Sequence, residues 1–300
     1  MHSLAVDFSQ HGASIGQRAT RPRCAAMWTR GKSVLLHLAL VAVFALTLAP
    51  FAWMLSTSLK PTGASFTLPP QWIPRPATLT QYRTLFAQMN FARATLNSLV
   101  VAVSVTVLGL FINSLAGFAF AKYQFPGRQR LFGLLLASMM IPGQVAMLPL
   151  FMMFNKLGLL NNYLGLIIPG MASMFGIFLL KQFMMSIPDA LLDSARIDGA
   201  SEWRIYWQVV LPLTKPALAT LAVFSFMGAW NDFLWPLIVM TKQSMYTLPV
   251  ALANLTGEEH RTQYELLMAG SVVVILPIAI AFLAMQRFYM SGITAGSVKE

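Results

Sequence analysis

The sequence predicts an all-α integral membrane protein with six transmembrane helices and a helical cytoplasmic loop between spans four and five. Three observations predict it. Hydrophobic residues make up 57% of the 300, charged residues only 10%, and the mean hydropathy is +0.64, too apolar for a water-soluble domain to conceal. Six windows approach the roughly 20 apolar residues needed to cross about 30 Å of hydrocarbon. Lys and Arg gather in alternate connectors, as they do in cytoplasmic loops.

The first 32 residues are polar, basic and irregular, and read as a cytoplasmic tail. They run into span one, 33–55. Its apolar core is too long for a signal peptide, and "LAPFAWMLSTSLKP" offers no convincing cleavage site, so it reads as a retained helix with Trp53 in the interfacial belt. The connector 56–96 carries Pro61, Pro69, Pro70, Pro74 and Pro76, which makes it extended, with room for a short helix near "TLTQYRTLF". Spans two to four follow at 97–121, 131–153 and 164–180, separated by "KYQFPGRQR" (122–130) and "NKLGLLNNY" (155–163). After a charged loop, 181–215, come spans five and six at 216–240 and 266–288, so that 33–300 reads as one six-span domain.

Six spans place both termini on one side. With the N-terminus inside, 14 of the 21 Lys and Arg fall in inner segments and seven in outer ones, which predicts cytoplasmic termini. The net charge of +11 then reports orientation in a lipid membrane, and no nucleic-acid partner is expected.

Catalytic chemistry finds little to stand on. The single cysteine, Cys24, allows neither an intrachain disulfide nor a Cys-rich zinc site. "AMWTRGKS" (26–33) matches a relaxed phosphate-binding loop, but it lacks the first glycine and lies between a basic tail and a membrane span, where a nucleotide fold needs strand and helix. "EEH" (258–260) has no second His at ligand spacing. No nucleophile and base are placed to meet, so no catalytic residue, metal ligand or cofactor of its own is expected.

The loop between spans four and five is different. "DSARIDGASEWRIYWQVVLP" (193–212) packs Asp193, Arg196, Asp198, Glu202 and Arg204 into one short stretch. Ser186, Pro188 and Asp189 resemble a helix start, "DGA" at 198–200 interrupts with Gly199, and a second helix runs from Ser201 to about Leu211. Ala190, Ser194 and Ala195 are small enough for close approach by a partner, while Trp203, Tyr206 and Trp207 share one side of the second helix. Two readings stay open on physics alone. Either the finger docks in a groove of another protein, or it is a solvated loop whose aromatics rest in the membrane interface.

"ARIDGA" followed by Leu211, Pro212 and then Pro216 resembles the cytoplasmic signature loop of binding-protein-dependent ABC importer permeases. The acid and two alanines of that pattern are represented by Asp193, Ser194 and Ala195. "GLLNNYLGLIIPG" (158–170), "AWNDFLWPLIVM" (229–240), "TLPVAL" (247–252) and "QRFYMSGITAGSVKE" (286–300) are similar, in order and position, to the carbohydrate-uptake, maltose-type branch. Glu300 departs from that branch's terminal glycine.

The resemblance covers 33–300 and implies a bacterial inner-membrane permease subunit of an ATP-driven importer for a sugar or related polyol. It implies a coupling loop in which Asp193, Ser194, Ala195, Asp198, Gly199, Ala200, Leu211 and Pro212 engage an ATPase subunit. The implied partners are a second homologous permease chain, an ATPase dimer that binds ATP and Mg, and an extracytoplasmic solute-binding protein. The C-terminal tail would reach the ATPase interface. Arabinose-like pentoses, maltose-like oligosaccharides, lactose and glycerol phosphate all remain open as solutes. The alternative is an ion-gradient-driven secondary transporter, but the halves show no convincing repeat and Asp232 stands alone. A third class is a membrane scaffold or receptor subunit that transports nothing.

Asp232 lies inside span five, where an ionisable residue is a functional candidate by default. Pro236 one turn later loosens the helix, and Asn231 and Asp232 are placed to cap the next piece, so Asn231, Asp232 and Pro236 form a candidate translocation path or gate. The competing reading pairs Asp232 across a subunit interface, where it only fixes helix packing.

Overall fold

The computed structural model describes residues 23–67, 69–88, 90–256 and 263–295, and among these the regular structure is helical throughout. Two units are distinguished, residues 1–52 and 53–300. The first holds most of α1 (Arg23–Ser58), whose side chains from Val34 to Phe44 are exposed and, apart from His37, apolar, the surface that lipid covers. Residues 23–32, expected as irregular tail, are already helical. An apolar span nucleates the helix, and good formers such as Ala25, Ala26 and Met27 extend it at little cost.

The second unit opens with the end of α1 and the proline-rich connector, which carries α2 (Thr80–Gln88) where a short helix was expected. Then follow α3 (Phe91–Lys122), α4 (Arg128–Ser138), α5 (Met147–Lys156), α6 (Tyr163–Gly170) and α7 (Met174–Met185). The charged loop forms α8 (Asp189–Ile197) and α9 (Glu202–Ile205), which continues through a π turn at 206–210 into α10 (Leu211–Leu213). Finally come α11 (Lys215–Asn231), α12 (Leu234–Val239), α13 (Leu248–Asn254) and α14 (Tyr264–Ala295).

Three helices, within α1, α3 and α14, are long and apolar enough to cross a membrane unaided, and the number reaches six if each of three bent pairs is one span, namely α4 with α5, α6 with α7, and the charged-loop helices 202–213 with α11, which meet at 79°. The third and fourth spans, expected as single helices, are therefore corrected to broken ones, and the fifth is interrupted at Asp232, where its loosening was expected. The two arms of the third meet at 93°, where Pro142 removes an amide and Gly143 opens a short 3-10 turn. The fourth bends by 41° after Pro169 and Gly170. The fifth stops at Asp232, whose backbone is extended, with φ −64° and ψ 123°.

Breaking a helix in hydrocarbon frees backbone groups that cost several kcal/mol each if left unpaired. Side chains of α3 and of the breaks themselves meet part of this demand. The Ser173 amide donates to Asn113 Oδ1 at 2.9 Å, and the Gly176 amide to Ser173 Oγ at 3.1 Å. Asn97 Nδ2 donates to the carbonyls of Ser244 and Tyr246 at 3.0 and 2.9 Å, while its Oδ1 accepts from the Tyr163 hydroxyl at 2.7 Å. Ser98 accepts from the Leu248 amide at 2.7 Å. Where lipid surrounds the helices, water exclusion drives little helix association, so polar ties and close contacts between small residues carry it. One such contact is at Gly117, where a Cβ would come within 3.0 Å of Leu180 Cβ on α7.

Candidate functional site

The three breaks converge. A cavity of about 550 Å³ in the second unit is lined by Gly143 and Gln144 from the first break, Gly170 and Ser173 from the second, and Asp232 and Leu234 from the third. Irregular backbone persists at bilayer depth only where protein buries it or a cavity receives it, and broken helices are how membrane proteins present polar groups to a solute.

Of the candidate path residues, the cavity gathers Asp232 and Pro236 but not Asn231, which is exposed and turns back to donate to the Met227 carbonyl at 2.9 Å. Asp232 ends α11 and stands half-buried on the cavity wall. It makes no ion pair among the described residues. The interruption falls at Asp232 and Phe233, one turn before Pro236, where the loosening was expected, and Pro236 itself is the third residue of α12, where its missing amide has no helical partner. Trp235 Nε1 donates to the Gly165 carbonyl at 2.9 Å and ties α12 to α6. Sequence reasoning missed Gln144 and Ser173. Asn113, an amide inside an apolar span, was the available signal for the second break.

The finger is built from α8 to α10. Leu192, Ile205, Tyr206 and Val210 turn inward and form one apolar cluster with Phe118 of α3, Leu180 and Met184 of α7, and Leu221 of α11. At the elbow Gly199 has φ +78°, the left-handed region where a Cβ is penalised, and the Gly199 and Ala200 amides donate back to the carbonyls of Arg196 and Ala195 at 3.0 and 2.9 Å. Ser201 then caps α9 through its hydroxyl. Arg196 straddles the elbow, with Asp193 Oδ1 and Glu202 Oε1 each at 2.9 Å.

Two further ties bind the finger to the end of α3. The Tyr123 hydroxyl donates to Glu202, and Lys122 Nζ reaches Asp189 Oδ1 at 2.6 Å and the Ile187 carbonyl at 2.5 Å. Burial, reinforced by the neighbouring Glu202 carboxylate, pushes the Tyr123 phenol up to about 12, so it stays a donor at neutral pH. The Lys122 hydrogen bond holds the Asp189 carboxyl below its ordinary value. A depressed carboxyl stabilises above its ordinary range, and that tie weakens as the pH falls through the lowered value. Tyr123→Phe is expected to speed amide hydrogen exchange across residues 194–200 about fivefold, the equivalent of ~1 kcal/mol for a lost hydrogen bond at a partly exposed site. Exchange in α3 should not change.

The eight candidate coupling residues do not share one face. Asp193, Ser194, Asp198, Gly199 and Pro212 are exposed, whereas Ala195, Ala200 and Leu211 are half-buried against the inner cluster. Ala195, expected to meet a partner, instead packs within the finger, because the α8 face that carries Leu192 is the one that faces the membrane helices. Sequence reasoning missed Ile197, which stands 87% exposed beside Gly199. The aromatics divide as well. Tyr206 is buried and shares a 2.6 Å hydrogen bond with Ser114, while Trp203 and Trp207 stay exposed with their rings edge-on to it at 5.8 and 5.3 Å.

Residues 109–294 match the family described as binding-protein-dependent transport system inner membrane component. The chain is 36% identical over 284 residues to the arabinooligosaccharides transport system permease protein AraQ of Halalkalibacterium halodurans, covering 94% of this chain and 99% of that one. It is 33% identical over 272 residues to the sn-glycerol-3-phosphate transport system permease protein UgpE of Salmonella typhi, covering 88% and 96%. A solved bacterial ABC transporter involved in the import of the acidic polysaccharide alginate superposes with a TM-score of 0.76 at 24% identity, over 87% of this chain and 97% of that one, a likeness of fold. The matched segment contains the finger and all three helix breaks. The chain belongs to the family of binding-protein-dependent transport system inner membrane components, multi-pass permeases of ABC importers that transport rather than catalyse.

Proposed function

We propose that this permease serves an importer of a sugar or related polyol, and that the finger at 189–213 docks on a separate ATPase subunit and carries its motion to the cavity. One observation supports this most directly. The finger's inner face belongs to the same apolar cluster as Leu221, and Leu221 also lines the cavity. Packed interiors transmit displacement with little compression, so a push on the finger tip reaches the cavity wall.

Ile197 offers an apolar anchor at the tip, and Asp193, Ser194 and Asp198 around it set orientation, the arrangement of a helix that inserts into a groove. The ATPase dimer would hold ATP and Mg on the cytoplasmic side, together with both termini of this chain. A second homologous permease would complete the cavity, and an extracytoplasmic solute-binding protein would deliver to the opposite face. Asp232 and Pro236 line the translocation path in this reading. The expected tail contact at 286–300 lies outside the residues whose side chains are described. Named activities of the relatives, on arabinooligosaccharides and on glycerol 3-phosphate, support the solute class.

The deciding experiment is solute uptake into proteoliposomes holding the whole complex, with ATP supplied on the finger side. Uptake should require ATP, the ATPase subunit and the solute-binding protein. Uptake driven by a proton or sodium gradient in the absence of the ATPase subunit would establish secondary transport instead.

A further inference from the structure

The solute class can be narrowed from the cavity wall, on the reading that the cavity is part of the path. Its chemistry is lopsided. Asp232 is the one charged residue on the wall, and among the described residues no Lys, Arg or His lines it. The remaining polar side chains are neutral, namely Gln144, Ser173 and Ser225. Phe175 and Phe224, both exposed, meet edge to face with centroids 5.9 Å apart and add aromatic surface to the same wall.

From this arrangement we infer that the cavity admits uncharged saccharides and rejects phosphorylated or uronate-type solutes, with Asp232 as the selecting group. A neutral sugar presents hydroxyls that donate to a carboxylate and exchange hydrogen bonds with Gln144 and the serines, and C–H faces that lie on aromatic rings. An anion finds no compensating cation on this wall. If Asp232 is ionised, like charges oppose each other in a site of low dielectric. If it is protonated, one hydroxyl donor does not replace the hydration a phosphate gives up. The volume of about 550 Å³ lies inside the range of small-molecule sites, ~300–1,000 Å³.

The test uses the complete permease–ATPase complex in nanodiscs without the solute-binding protein, so that selection in the cavity is read apart from selection by that protein. Binding of arabinotriose, maltotriose, sn-glycerol 3-phosphate and an alginate trisaccharide is measured by isothermal titration. At least one neutral probe should bind about tenfold or more tighter than either anion, and Asp232→Asn should shrink that ratio to about threefold or less. Phe224→Ala should weaken the neutral probe without helping the anions. An anion bound as tightly as the neutral probes, an unchanged ratio in Asp232→Asn, or binding of no probe at all overturns the proposal. ATP-driven uptake by the same complex with its solute-binding protein restored is measured alongside. If that uptake persists while the ratio test fails, the importer reading stands and only the selectivity falls.

Discussion

Gly199→Asp is expected to leave the permease inserted and assembled, to leave ATP hydrolysis running, and to lower uptake by about tenfold or more, because an interface anchor carries about 2 kcal/mol or more. The elbow separates the two effects. At φ +78° any side chain carries a backbone penalty of about 1 kcal/mol, and Asp is among the residues that tolerate this region best. A Cβ at this position would meet no atom of the chain within 4 Å, so internal packing does not oppose the substitution. A cost of this size does not unfold the finger, which the Arg196 and Tyr123 ties hold in place. Any larger loss therefore reports what approaches from outside, where a carboxylate next to Ile197 would have to be desolvated on docking. Gly199→Asn is the control, since it tolerates the same backbone and adds no charge, and it should retain more coupling. The measurement is ATP hydrolysed per solute imported by the reconstituted complex. A Gly199→Asp complex with the parent ratio and the parent rate would remove the finger from the coupling path.

Gly165→Ala is expected to have the largest effect on stability, about 3 kcal/mol, from overpacking plus a lost hydrogen bond. A Cβ at this position would lie 2.4 Å from the Leu159 carbonyl oxygen and 3.2 Å from Val239 Cγ1. The first contact is with backbone, and Leu159 is itself held by the hydrogen bond its amide donates to the Phe154 carbonyl at 2.9 Å, so α6 has to move. Moving α6 breaks the Trp235 bond to the Gly165 carbonyl and with it the seat of α12 on the cavity wall. Thermal unfolding of the detergent-solubilised complex, followed by size exclusion, should begin roughly 10 °C lower. Gly133→Ala, where a Cβ meets nothing within 4 Å, should leave it unchanged. Equal thermal stability of the two variants would mean that α6 and the Leu159 turn separate more easily than their geometry implies.

Much of the finger is legible in its residues alone. Pro188 and Asp189 open α8, Gly199 ends it, and Ser201 starts α9, because each needs only local backbone chemistry. Which side of α8 meets a partner is not legible in that way. Small size at Ala195 suits close approach by a partner and close packing on the cluster equally, and only the neighbours reveal which applies. Asp232 stands out as the acid in an apolar span, whereas Gln144 and Ser173 do not. A neutral polar residue gives no strong signal until the chain around it is seen to leave its helix.

Residue order is enough to establish a helical multi-pass membrane protein with a charged finger between its fourth and fifth apolar segments. Apolar length, charge placement and turn chemistry are sums over neighbouring residues, and the bilayer reads them almost independently of how the helices pack. That the third and fourth of those segments break as well as the fifth, and that the breaks share one cavity, emerges only from the folded chain, because the contacts that hold the broken pieces join residues far apart in sequence. Asn113 reaches Ser173 and Trp235 reaches Gly165, and no local pattern records either contact. The same holds for Leu221, which joins finger and cavity through packing with α3, α7, α8 and α9.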